Sequence, residues 1–107
     1  MISPIIVYEH GDMMIFESAV LAENYIEAVD VGNNEYIVYD SQGTLLNIGI
    51  DSQTSQVIIT DNATNIKQPE QLQEILIDYL NIMKVDTYWI QNATLYDLVA
   101  QALHLYK

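Results

Sequence analysis

The stretch EYIVYDSQGTLLNIGI, Glu35–Ile50, decides the fold. Two β-rich runs, EYIVYD (35–40) and TLLNIGI (44–50), flank Ser41-Gln42-Gly43, a spacing that predicts an antiparallel hairpin. Strand side chains alternate between faces, so Tyr36 and Asp40 share one face, a mix of aromatic ring and acid. Working towards the N-terminus, IIVYE (5–9) and MMIFE (13–17) predict an earlier hairpin. Its two-residue turn, His10-Gly11, needs positive φ at both positions, which histidine tolerates better than most side chains. Between the hairpins, SAVLAENYIEAV places Ala22, Tyr25, Ile26 and Val29 at helical spacing, with Ser18 as N-cap and Gly32 at the exit.

Towards the C-terminus, QVIIT (56–60) adds a fifth strand after the polar turn DSQTS. Pro69 fits the first position of a helix whose apolar series is Leu72, Ile75, Leu76, Tyr79, Leu80 and Met83. VDTYWIQN is expected to be a connector that anchors Tyr88 and Trp89 against the core. Thr94 and Asp97 have the spacing of a capping box, with Asp in the usual place of Glu or Gln. Leu95, Leu98, Val99, Ala102, Leu103 and Tyr106 form the apolar face of a last helix. The expected order is ββαβββαα: an α+β protein with an antiparallel sheet of about five strands and three helices in a single domain, 1–107.

Charge narrows the function. Fifteen Asp and Glu face three Lys and no Arg in 107 residues, a net charge of −12. All three lysines, Lys67, Lys84 and Lys107, lie in the C-terminal part, and Met1 to Ile66 contains no base other than His10. Such a chain repels nucleic acid and anionic membranes and attracts cations and basic proteins. Nucleic-acid binding is therefore excluded first. No apolar run is long enough to span a bilayer, and MISPII lacks a basic n-region, so a cytoplasmic protein is expected. Cysteine is absent, which removes thiol catalysis and Cys-based zinc sites.

Catalytic patterns are equally scarce. The sequence has no G-x-S-x-G, phosphate-binding glycine loop, G-x-G-x-x-G or H-E-x-x-H. Glu9, His10 and Asp12 would meet on one exposed turn, and such a trio without further ligands rarely holds a metal tightly. A hairpin turn is the better reading of His10. His104 falls near the C-terminus of the last helix, where an imidazolium suits the helix dipole. No enzyme and no cofactor is expected.

The arrangement of the acids is more informative. Glu70, Glu74 and Asp78 follow one another at i,i+4, as do Glu23 and Glu27, and each like-charge pair costs an isolated helix roughly 0.2–0.5 kcal/mol. Asp30 adds a charge of the wrong sign at a helix end. Local rules broken repeatedly in one direction point to a functional demand, here a cationic partner. Eight tyrosines accompany the acids, and tyrosine is favoured at interfaces.

Ile5 to Leu46 resembles small bacterial immunity proteins encoded beside polymorphic or contact-dependent growth-inhibition toxins. The resemblance rests on the turn His10-Gly11-Asp12, where Asn is usual in place of His10, on Phe16–Ser18 and Ala22–Glu27 with Asp30-Val31, and on Asn34–Tyr36 with Tyr39–Gly43. It implies a cytoplasmic antitoxin that binds its cognate toxin domain one to one and blocks the active site or substrate surface. Many such toxins are nucleases with basic surfaces, an RNase being expected over a DNase. No catalytic residue carries over. The candidate partner-binding residues are Glu23, Glu27, Asp30, Tyr36, Asp40 and Asp51. The competing readings are an acidic adaptor or subunit of another complex, a homodimer included, and a small metal-dependent enzyme built on Glu9, His10 and Asp12.

Overall fold

The computed structural model describes residues 1–106. Among these the chain forms five strands and five helices: β1 (Ile5–Glu9), β2 (Asp12–Phe16), α1 (Ala19–Tyr25), α2 (Ala28–Gly32), β3 (Ile37–Tyr39), β4 (Leu45–Ile50), β5 (Val57–Asp61), α3 (Pro69–Ile82), α4 (Thr87–Asn92) and α5 (Leu95–Tyr106). The strands make one antiparallel sheet in the order β2-β1-β3-β4-β5. Both predicted hairpins are present. The expected α+β class with a five-stranded antiparallel sheet therefore holds, while the helix count and element order need correction.

The β2–β3 connection carries the chain over one face of the sheet, so β3 pairs with the free side of β1. Helices α1 and α2 lie in that connection and bury Ala22, Ile26 and Val31 against Ile5, Val7, Val38, Leu46, Val57 and Ile59. The opposite face packs Ile6, Met13, Ile15 and Tyr39 against Leu72, Leu76 and Leu80 of α3, Ile90 of α4, and Leu98, Val99 and Ala102 of α5. Ile5, Ile6 and Val7 are all fully buried because β1 is covered on both faces. Residues alternate between two separate cores along a single strand.

Capping residues act as their sequence context demands. Ser18 Oγ accepts the N–H of Leu21 at 3.2 Å, and Pro69 opens α3. Thr94 and Asp97 cap reciprocally: Asp97 N–H donates to Thr94 Oγ1 at 3.1 Å and Thr94 N–H to Asp97 Oδ2 at 3.2 Å. Gly43, at φ +83°, lets the β3–β4 turn touch the start of α3, for a Cβ there would lie 2.6 Å from Pro69 Cα. The same contact is tied by Gln68 N–H donating to Gly43 O at 2.7 Å.

Two helical expectations fail. The single helix after β2 is broken at Ile26 and Glu27, whose ψ angles of 136° and 134° are extended. The break redirects the chain so that α2 buries Val31 over β4, leaving Tyr25 65% and Val29 66% exposed rather than in the core. The connector VDTYWIQN is also helical: Asp86 caps α4 by accepting Trp89 N–H at 3.2 Å. That short helix turns Ile90 inward, while Tyr88 is 75% exposed and Trp89 is exposed too.

Candidate functional site

Antiparallel order brings four segments to one end of the sheet: the β1–β2 turn, the end of α2 with the entry to β3, the β4–β5 loop and the N-terminus of β5. His10 and Gly11 take φ of 46° and 92°, both left-handed, and Glu9 pairs with Asp12 across the turn. His10 thus turns the chain. No group of three or more His, Asp or Glu side chains is placed to hold a metal ion among the described residues.

The register Tyr8↔Ile37 places Glu9 beside Tyr36, the residue that leads into β3, and α2 brings Asp30 to the same phenol. Tyr36 Oη donates to Asp30 Oδ2 at 3.2 Å. Burial, followed by the charges of Glu9 and Asp30, pushes the Tyr36 phenol far up, so it remains a hydrogen-bond donor. The Glu35 carboxyl is also raised, first by desolvation, then by its hydrogen bond to Asp30 and the charges of Asp30 and Glu9, with His10 acting in the opposite sense. Neither Lys67 nor Lys84 forms an ion pair with a carboxylate among the described residues. This end is a set of acids facing one another with a phenol among them. Arrival of a cation there relieves repulsion as well as forming new pairs.

Of the six candidates from the sequence, Asp30 and Tyr36 meet in this set, and Glu27 stands exposed at the start of α2. Asp51 also lies at this end, but its Oδ1 closes the β4–β5 loop by accepting the N–H groups of Gln53 at 2.8 Å and Thr54 at 3.3 Å. Glu23 Oε2 accepts Ile59 N–H on edge strand β5 at 2.6 Å. Asp40 sits at the opposite end, 4% exposed, and holds the β3–β4 turn by accepting N–H groups from Ile2, Gln42 and Thr44 at 3.1, 2.9 and 3.0 Å. Its carboxylate is occupied by its own chain. Glu35 is not among the residues the sequence singles out, and Glu9 is singled out there only with His10 and Asp12 as a metal trio. What places Glu9 beside Tyr36 is the β1–β3 register, which local pattern does not contain.

A second feature adjoins the acids. Helices α3 and α5 contact β2, and their core covers Tyr39 and part of Leu45 but leaves the rest of the same face of β3, β4 and β5 open. Ile37, Asn47, Ile58 and Thr60 are exposed there, with Ile37 next to Tyr8 across the strand pair. No helix among the described residues is long and apolar enough to cross a membrane. Comparison with protein families, curated proteins and solved structures gives no match to this chain.

Proposed function

We propose that this chain is an immunity protein that binds a cognate cationic toxin domain in the cytoplasm and neutralises it by covering its active site or substrate surface. The toxin is a nuclease, an RNase in preference to a DNase. The observation that carries this reading is the acidic end of the sheet, where Glu9, Asp30 and Glu35 gather around Tyr36 without a lysine partner. A nuclease surface is basic because it must hold phosphates, so clustered carboxylates match it in sign and speed association. The charge of −12 and the resemblance of Ile5–Leu46 to immunity proteins support the same conclusion. The open part of the β3–β5 face, with Ile37, Asn47, Ile58 and Thr60, supplies apolar and polar neutral area beside the acids, as a mixed interface requires.

Affinity capture from the native host, washed at low and then moderate salt, tests this. Recovery of one basic protein whose toxicity on expression is abolished by this chain supports the reading. A scatter of basic proteins released together by modest salt overturns it. With the partner in hand, Glu27→Lys combined with Asp30→Lys should weaken binding at least roughly tenfold, the scale of a lost charge pair at an interface. Unchanged affinity removes the acidic end from the interface.

A further inference from the structure

A cleft of about 610 Å³ opens between the tip of the first hairpin and the C-terminal half of α3. Met13, Ile75, Tyr8 and Tyr79 line it, with Asp78 on the α3 side and Asp12 at the tip of the hairpin. Both acids are exposed, no lysine lines the cleft, and no hydrogen bond or ion pair engages either carboxylate among the described residues. The cleft lies on the α3 side of the sheet, and Asp12, paired with Glu9 across the turn, stands at its rim between the cleft and the Asp30 group. We infer that this cleft is a receptor for an arginine side chain of the basic partner.

Each part of the cleft suits a part of that side chain. The three methylenes of arginine are apolar and cover side chains such as Met13 and Ile75. The planar guanidinium stacks on phenol faces and presents a fork of N–H donors that carboxylates accept. Lysine has a compact, strongly hydrated head, and would gain the charge attraction with less of the stacking. A second groove of about 600 Å³, lined by Ile2, Pro4, Leu95 and Val99, is apolar and carries no charge that selects an occupant.

The inference rests on the partner being basic, and its test is arranged to fail separately. Amide NMR spectra of the whole chain are followed during titration with blocked hexa-arginine, and with blocked hexalysine as the charge-matched control, at about 0.15 M salt, where exposed charges are largely screened. The expected result is perturbation centred on Gly11, Asp12, Met13, Asp78 and Tyr79, with arginine bound more tightly. Asp12→Asn/Asp78→Asn should weaken hexa-arginine roughly tenfold, while Glu70→Gln/Glu74→Gln, which removes the same charge, should change it less than about twofold. Equal losses in the two double variants, equal binding of the two peptides, or shifts spread over every acidic segment would overturn the cleft. If a captured toxin binds wild type and the Asp12/Asp78 variant alike, the cleft fails and the immunity reading stands. If hexa-arginine maps to the cleft but no basic partner exists, the reverse holds.

Discussion

Glu23 on α1 hydrogen-bonds through its carboxylate to the backbone N–H of Ile59 on β5, at 2.6 Å, across 36 residues of sequence. Strand β5 is an edge of the sheet, and an edge strand offers unpaired amides to any other chain. Glu23 fills one of those positions and adds a negative charge beside it.

Replacing Glu23 by Ala should therefore destabilise the fold by about 1–3 kcal/mol, the scale for losing a charged acceptor of a half-buried amide. It should also promote self-association. Glu23→Gln keeps an acceptor oxygen and should recover much of the stability. Urea unfolding and light scattering read the two effects. If Glu23→Ala unfolds at the wild-type midpoint and stays monodisperse, the bond contributes neither.

Asp40 is expected to matter for folding and not for recognition. Its carboxylate satisfies three backbone N–H groups in a buried turn. Asp40→Ala should cost about 2–4 kcal/mol, because three donors lose a charged acceptor together. Asp40→Asn should cost less, keeping one acceptor oxygen but turning an NH2 group towards the Ile2 amide. Partner affinity per folded molecule should be unchanged in Asp40→Asn, which calorimetric titration with the captured partner checks.

Gly43→Ala should destabilise by roughly 2–4 kcal/mol, since the new methyl meets the Pro69 backbone and φ is in the left-handed region. Thermal unfolding measures it. A melting temperature equal to that of wild type would show that the junction between the β3–β4 turn and α3 shifts freely.

Desolvation of the Glu35 carboxyl, with Asp30 beside it, gives stability a defined dependence on pH. Glu35 has a folded pKa raised above its ordinary value of 4.5, so the native state binds its proton more tightly than the unfolded chain. Its contribution is fully present below 4.5 and is lost as pH rises through the raised folded value. Chemical denaturation should accordingly show stability increasing as pH is lowered from neutral towards that value. Glu35→Gln should be more stable than wild type at neutral pH and should flatten that part of the profile. An unaltered profile in Glu35→Gln would assign the dependence to other carboxylates.

Features set by neighbours in sequence were readable without the structure. Ser18 and the Thr94–Asp97 pair mark helix starts through bonds that reach only three residues, Pro69 marks one through its fixed φ, and His10-Gly11 marks its turn through its own backbone. The break at Ile26–Glu27 was hidden because a continuous helical spacing of Ala22, Tyr25, Ile26 and Val29 runs straight through it, and burial of Val31 over β4 prevails over that pattern. The site was legible only in part for the same reason. Asp30 and Tyr36 are six residues apart and could be paired by proximity, whereas Glu9 joins them through strand order. Asp40 looked like a surface acid because the turn amides that surround it come together only when the hairpin closes.

Strand β3 is the middle of the sheet and also its narrowest member. It pairs at three positions with β1 and two with β4, while the outer pairs β1–β2 and β4–β5 each match at five. The ladder therefore has a seam at its centre, crossed by α1, which touches β1, β2 and β5, and by α2, which packs on β4. Opening along this seam would release the β4–β5 hairpin, largely open on one face, as a unit separate from the β1–β2 half with its helices. Native-state hydrogen exchange should find faster amides in β4–β5 than in β1. A ligand seated on that open face would span the seam and slow them, so binding would be recorded as cooperativity between the two halves of the molecule.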